Sequence, residues 1–228
     1  MEQVIVDRIP FHVNMELLMK RVRIKENSSH ANTLKGLVEE AQTIANPKAM
    51  YRPVFIDSQD DERLVLDGVI LTSRVLKVNL ENAYRVFPFV ATCGMELEDW
   101  AKAKDDMLIR FWAERIKEMA LHSAIATLNK YVAEEFSLEK KSVMTPGSLK
   151  DWPIEEQKSL FRIVGNTEEA IGVQLTESLM MKPVHSVSGI IFPTEVSFES
   201  CQLCQRENCP GRRAPYDKDL YNRKYRKK

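Results

Sequence analysis

The stretch richest in reactive side chains is "SCQLCQRENCPGRRAPYDKDLYNRKYRKK", where Cys201, Cys204 and Cys209 stand in a C-x2-C-x4-C spacing. A soft metal needs several thiolates converging on one point, and a turn-rich loop lets sequence neighbours converge. Gly211 and two nearby prolines make this such a loop. Three local thiols leave one tetrahedral position to fill. The remaining cysteine, Cys93, lies in "VATCGMELED", after a strand-like run and before a long helical one, where a rigid element would present it. Cys93, Cys201, Cys204 and Cys209 are therefore expected to hold an iron–sulfur cluster. Zinc is the alternative metal, and free thiols are the third reading, because spacing alone does not separate them.

Other constellations are missing. The sequence contains no GxGxxG, P-loop, HExxH or GxSxG. The four histidines are scattered, and His122, on an apolar helical run, reads as a core or lining residue. Carboxylate pairs such as Glu134–Glu135 and Glu155–Glu156 read as solvated helix faces. Lys plus Arg equals Asp plus Glu at 33 each, so no global field selects nucleic acid or an anionic membrane. The charge is nonetheless uneven. From Gln205 onward there are nine basic and three acidic residues, a net +6 that a solvated tail or a docking segment would explain. No apolar run reaches the roughly 18 residues of a membrane helix, and no secretory signal opens the chain. The expectation is a cytoplasmic protein with reduced thiols, which favours metal or redox roles over disulfides.

Positioning such ligands requires a folded domain, and 44% apolar residues in a 228-residue chain supply a sizeable core. "VNMELLMKRVRI" places Met15, Leu18, Met19 and Val22 on one helical face. "SSHANTLKGLVEEAQTIANP" repeats the pattern, with Ser28 or Ser29 as cap and Asn46-Pro47 as its end. "YRPVFI", "LVLDGVIL" and "AYRVFPFVATCG" read as strands. The helical signal from "MELEDW" to "VAEEF" exceeds a usual globular helix and predicts a break around 105–110. After the loop "SVMTPGSLKDWP", a helix is expected with Pro153 at its first position and Asp151 as cap. "GVQLTESLMM", "HSVSGIIFP" and "TEVSFESC" read as short strands and turns. The sum is an α+β fold with a mostly antiparallel sheet.

The block "LTESLMMKPVHSVSG", preceded by Pro146-Gly147, resembles the activation (reactivation) domain of cobalamin-dependent methionine synthase. "FPFVATCGMELEDWA" is similar to that family's strand–turn–helix, and the resemblance covers residues 84–198. It implies a single curved α+β domain, with a twisted antiparallel sheet and long central helices over 1–198 and a Cys-rich basic extension over 199–228. It implies S-adenosylmethionine as ligand, and action on a cobalamin (vitamin B12) cofactor held by a partner: a corrinoid protein or a cobalamin-dependent methyltransferase. Because the synthase domain is part of a larger chain, this one is expected to act in trans. Residue by residue, the family's ligand groove maps onto Thr127, Val143, Pro146, Gly147, Ser148 and Phe198. Where the family carries a guanidinium and a carboxylate, this sequence has Val143 and Thr127. Each charge-assisted bond is worth roughly 1.5–3 kcal/mol, so this departure makes S-adenosylmethionine binding doubtful. C-x2-C-x4-C is an addition to the family pattern, expected to supply an electron relay of the chain's own.

Overall fold

The computed structural model describes residues 2–60, 62–209 and 212–226. Its organising strand is β6 (Arg85–Thr92), in which all but the first residue are buried. A strand buried on both faces reads as a continuous apolar run, as "VFPFVAT" does. One edge of β6 pairs antiparallel with β10 (Ser186–Pro193), which in turn pairs with β7 (Lys141–Met144). The other edge is shared. β2 (Lys48–Tyr51) takes its C-terminal half and carries β1 (Val4–Val6) outward. β3 (Val54–Gln59) takes the N-terminal half and leads to β4 (Arg63–Leu66) and β5 (Val69–Thr72). Among the described residues these eight strands form one forked antiparallel sheet. A hairpin of β8 (Gln174–Leu175) and β9 (Met181–Lys182) stands apart from it.

Alternation along the strands divides the side chains between two cores. Val86 and Val90 of β6, Met144 of β7 and Ile190 and Phe192 of β10 face one side. That side is covered by α3 (Arg74–Asn79) and α6 (Gln157–Val164). Phe87, Phe89, Ala91 and Ile191 face the other side, against the C-terminal half of α5 (Met107–Glu135). A third cluster joins the N-terminal half of α5 to α1 (Met15–Val22), α2 (Ser29–Ile44) and α4 (Met95–Lys102). The predicted break falls between α4 and α5, where the Asp106 side chain accepts the N–H groups of Leu108 and Ile109 at 2.7 and 2.9 Å and restarts the helix.

Several local expectations need correcting. Ser28 occupies the N-cap position of α2 without a side-chain cap bond. Asp151 caps a different helix from the one expected. Its carboxylate accepts the Ser73 hydroxyl and the Val75 N–H at 2.5 and 2.9 Å at the start of α3. Pro153 precedes a single 3-10 turn, Ile154–Glu156, before α6 begins. "TEVSFESC" forms no strand. It makes one parallel bridge, Val143 to Glu199, and then a 3-10 turn at Ser200–Gln202. His122 is exposed, not a core residue.

The C-terminal segment packs against the domain. Leu203 and Leu220 pack on the first core, and Tyr225 is buried within it. The Tyr225 phenol donates to Asn79 Oδ1 at 3.1 Å, and the Arg74 side chain donates to the Tyr225 carbonyl at 2.8 Å.

Candidate functional site

The 146–151 loop is built from β7 onward. Gly147 has φ of 78°, and its N–H donates to the Trp152 carbonyl at 2.8 Å. A Cβ at that position would lie 3.0 Å from the Ile154 side chain. Left-handed backbone under close approach is a place for glycine. Pro146 is buried beside it. The Ser148 hydroxyl donates to the Thr145 carbonyl at 2.6 Å and lies 3.5 Å from the Ser200 hydroxyl. The loop thus meets the Cys-bearing segment. Between them is a cavity of about 310 Å³, bordered by Ser148, Leu149, Asp151, Leu203, Cys204 and Tyr221.

The expected ligand residues do not all reach this place. Phe198 is buried in the first core, its N–H donating to the Ser142 hydroxyl at 2.7 Å. Val143 packs on the opposite face of the sheet with the α5 cluster. Thr127 is half-buried on α5, between Ala124 and Leu128 of that same cluster. Ser148 and Phe198 therefore lie on the side of the Cys segment, and Val143 does not. Neither Val143 nor Thr127 offers a charge, so these two positions do not supply the ion pairs that an amino-acid zwitterion such as that of S-adenosylmethionine would use.

The cysteines divide in the same manner. Cys93 is fully buried in the helical cluster with Leu97, Trp112 and Ala113. Burial pushes its thiol up to about 12. Its neighbours are a charge network centred on the buried Glu98–Lys117 pair, which sequence reasoning missed. Lys117 Nζ lies 2.7 Å from Glu98 Oε2 and 2.9 Å from Glu114 Oε1, and His185 Nδ1 lies 3.3 Å from Glu114 Oε2. Burial pushes the Glu98 carboxyl up, but hydrogen bonds from Lys117 and Lys102 outweigh it and hold the group below its ordinary value. Burial pushes Lys117 down, and its two carboxylate partners more than reverse this. Burial, with Lys117 nearby, pulls His185 down. The readable signal was Glu98, Glu114 and Lys117 recurring beside apolar positions, but helical spacing alone does not place them inside.

Cys201, Cys204 and Cys209 sit half-buried in the C-terminal segment, whose Leu203 packs on the first core. Their loop is closed by a guanidinium. Arg212 donates to the carbonyls of Cys201, Cys204 and Ala214 at 3.0, 3.1 and 3.1 Å, and to that of Arg206 at 2.5 Å. The Arg213 N–H donates to Cys201 Sγ at 3.4 Å. Partial burial pushes the Cys201 thiol up, but the backbone N–H groups of Arg213 and Ala214 outweigh it and hold the thiol below its ordinary range. Pro210 and Gly211, read as turn-formers, lie outside the described residues, as do the last two lysines of the basic tail. Cys93 and the three tail cysteines do not form one site. Among the described residues no three His, Cys, Asp or Glu side chains converge on a point where they could hold a metal ion. No helix among them is long and apolar enough to cross a membrane.

A forked, curled antiparallel sheet wrapped on one long helix, with the loop of Pro146 at its rim, places the chain in the class of reactivation-domain folds. It is similar to the crystal structure of the MetH reactivation domain bound to AdoHcy, with a TM-score of 0.56 and 15% identity over 87% of this chain and 80% of that one. Residues 146–209 match the family model described as vitamin B12 dependent methionine synthase, activation domain. The likeness to that structure is one of fold, and the family match covers the segment from Pro146 through Cys209. Among curated proteins, none is a significant sequence match.

Proposed function

We propose that this chain supports the reductive activation of a corrinoid protein or cobalamin-dependent methyltransferase. The observation that carries the reading is the family match over 146–209, on a fold shared with a reactivation domain. In the reaction, one electron from an external low-potential reductant converts cob(II)alamin on the partner to cob(I)alamin. The Cys-bearing loop beside Ser148 is the segment that would hold an iron–sulfur centre as relay. Thiolates suit iron–sulfur clusters and zinc alike.

The test is direct. A corrinoid protein in the cob(II)alamin state is mixed anaerobically with this chain and a limiting reductant, and its visible spectrum is followed. Complex formation with faster loss of the cob(II)alamin bands is expected. No association at micromolar concentrations, with unchanged kinetics, would sink the proposal. A second reading is a docking module in which the tail is structural, and the Arg212 fork favours it because four carbonyls of the segment, those of Cys201, Cys204, Arg206 and Ala214, converge on that one guanidinium. Faster reduction that survives the triple Cys201→Ser, Cys204→Ser, Cys209→Ser change supports this second reading. S-adenosylmethionine is expected to bind weakly at most, and calorimetry at millimolar ligand checks this.

A further inference from the structure

We propose that Cys201 and Cys204 form a thiol–disulfide exchange pair, with Cys201 as the attacking sulfur, Cys204 as the resolving one and a low-molecular-weight disulfide as substrate. This goes beyond the activation reading and does not rest on it. Closing the pair moves two electrons as one covalent bond, whereas reduction of cob(II)alamin takes one.

Four observations carry it. First, the two residues close one turn, in which the Cys204 N–H donates to the Cys201 carbonyl at 3.3 Å, continuing the 3-10 turn at Ser200–Gln202. Such a turn holds the Cα atoms of residues i and i+3 within about 7 Å, and disulfides bridge Cα atoms roughly 4.4–6.8 Å apart. Second, the turn is clamped from outside. Arg212 Nη1 and Nη2 donate to the carbonyls of Cys201 and Cys204 at 3.0 and 3.1 Å, and Glu199 and Gln202 bond reciprocally across the turn's start. Leu203, next to Cys204, packs on the first core. Third, Cys201 Sγ accepts the Arg213 N–H at 3.4 Å. A donor aimed at sulfur stabilises the thiolate, the form that attacks a disulfide. Fourth, both thiols are half-buried, and Cys204 borders the cavity of about 310 Å³ with Ser148 and Tyr221, which gives a small disulfide a place beside the pair.

The exchange balances. Cys201, as thiolate, attacks one sulfur of the substrate disulfide. A mixed S–S bond forms, the substrate's own S–S bond breaks, and one small thiolate leaves and takes up a proton. Cys204 gives its proton to solvent and attacks Cys201 Sγ. The Cys201–Cys204 bond forms, the mixed bond breaks and the second small thiol departs. The pair is oxidised by two electrons, and one small disulfide is reduced to two thiols. Cys209 lies outside the turn. Cys93 is fully buried in a different core, its thiol donating to the Gly94 carbonyl at 3.5 Å, so neither takes part.

Oxidised glutathione is the probe. The reduced, full-length protein is incubated with it anaerobically at neutral pH, quenched with acid, digested and mapped by mass spectrometry. A Cys201–Cys204 bridge is expected, with two reduced glutathiones released per chain and Cys93 left as a thiol. In Cys204→Ser the reaction should stop at a glutathione adduct on Cys201. In Cys201→Ser the attack by Cys204 should be slower by at least about tenfold. Cys209→Ser and Cys93→Ala should oxidise as the wild type does. Far-UV circular dichroism confirms that each variant folds, and the wild-type map needs no variant. No oxidation, a bridge to Cys209 in place of Cys201–Cys204, a wild-type adduct that persists without closing, or an undiminished rate in Cys201→Ser each overturns the proposal. A confirmed bridge without corrinoid association leaves the pair standing and removes the activation reading alone.

Discussion

Two thiol environments in one chain should behave as two chemistries. Cys93 is fully buried, and burial pushes its thiol up to about 12, so at neutral pH it is neither accessible nor ionised. Alkylation at pH 7 followed by mass spectrometry should label Cys201, Cys204 and Cys209 and spare Cys93 until the protein is denatured. Early labelling of Cys93 would mean that the helical cluster opens far more readily than its packing suggests. The clustering of the tail thiols was legible in the sequence, because spacing is a local property. It misplaced Cys93, because which core a residue enters depends on the pairing of β6 with partners distant along the chain. Val143 illustrates the same point. Its alignment position was readable, but the face of β7 on which it falls follows from strand register against β10.

The elements α4 and α5 are tied by the Glu98–Lys117–Glu114 network, and His185 at the entry to β10 stands beside Glu114. Removing one partner of a buried pair leaves an uncompensated charge. Lys117→Met is therefore expected to lower stability by about 3–5 kcal/mol, and Glu98→Gln added to it should recover part of the loss. Urea denaturation of the single and double variants checks both. The pH dependence has a definite sign. Glu98 ionises at lower pH in the folded state than in the unfolded chain, so its contribution is present above the ordinary carboxylate range and is lost as pH falls through the folded value. Lys117 is shifted the opposite way, so its share is present below the ordinary lysine range and is lost only as pH rises through its folded value. The pair should thus support the fold across neutrality and fail on the acid limb, below about pH 4. Within the "SVSG" block, Gly189 has a steric reason: a Cβ there would lie 2.5 Å from the Met144 carbonyl and 3.0 Å from the Phe89 ring. Gly189→Ala should cost about 1–3 kcal/mol, measured as a shifted urea midpoint. An unshifted midpoint would show that β7 yields freely.

On the scale of the whole molecule, the C-terminal segment is a part of the core and not an appendage. Tyr225 is buried, hydrogen-bonded to Asn79 and stacked edge-on against Phe198 at 6.1 Å. Tyr225→Ala should cost about 3–5 kcal/mol, as large aromatic truncations do. A loss below about 1 kcal/mol by chemical denaturation would show that the segment docks without contributing. The α+β class, the principal helices and the break between α4 and α5 were readable from periodicity and from the turn signals. The docking of residues 199–226 was not, because a polar, basic composition with isolated aromatics looks the same whether those aromatics point inward or into water. One element spans what remains. α5 gives its first half to the helical cluster and its second half to the sheet. At 29 residues and 1.5 Å per residue it is roughly 43 Å long. A beam set in two walls cannot lose one of them quietly, so heating should melt the helical corner and the sheet in a single calorimetric step.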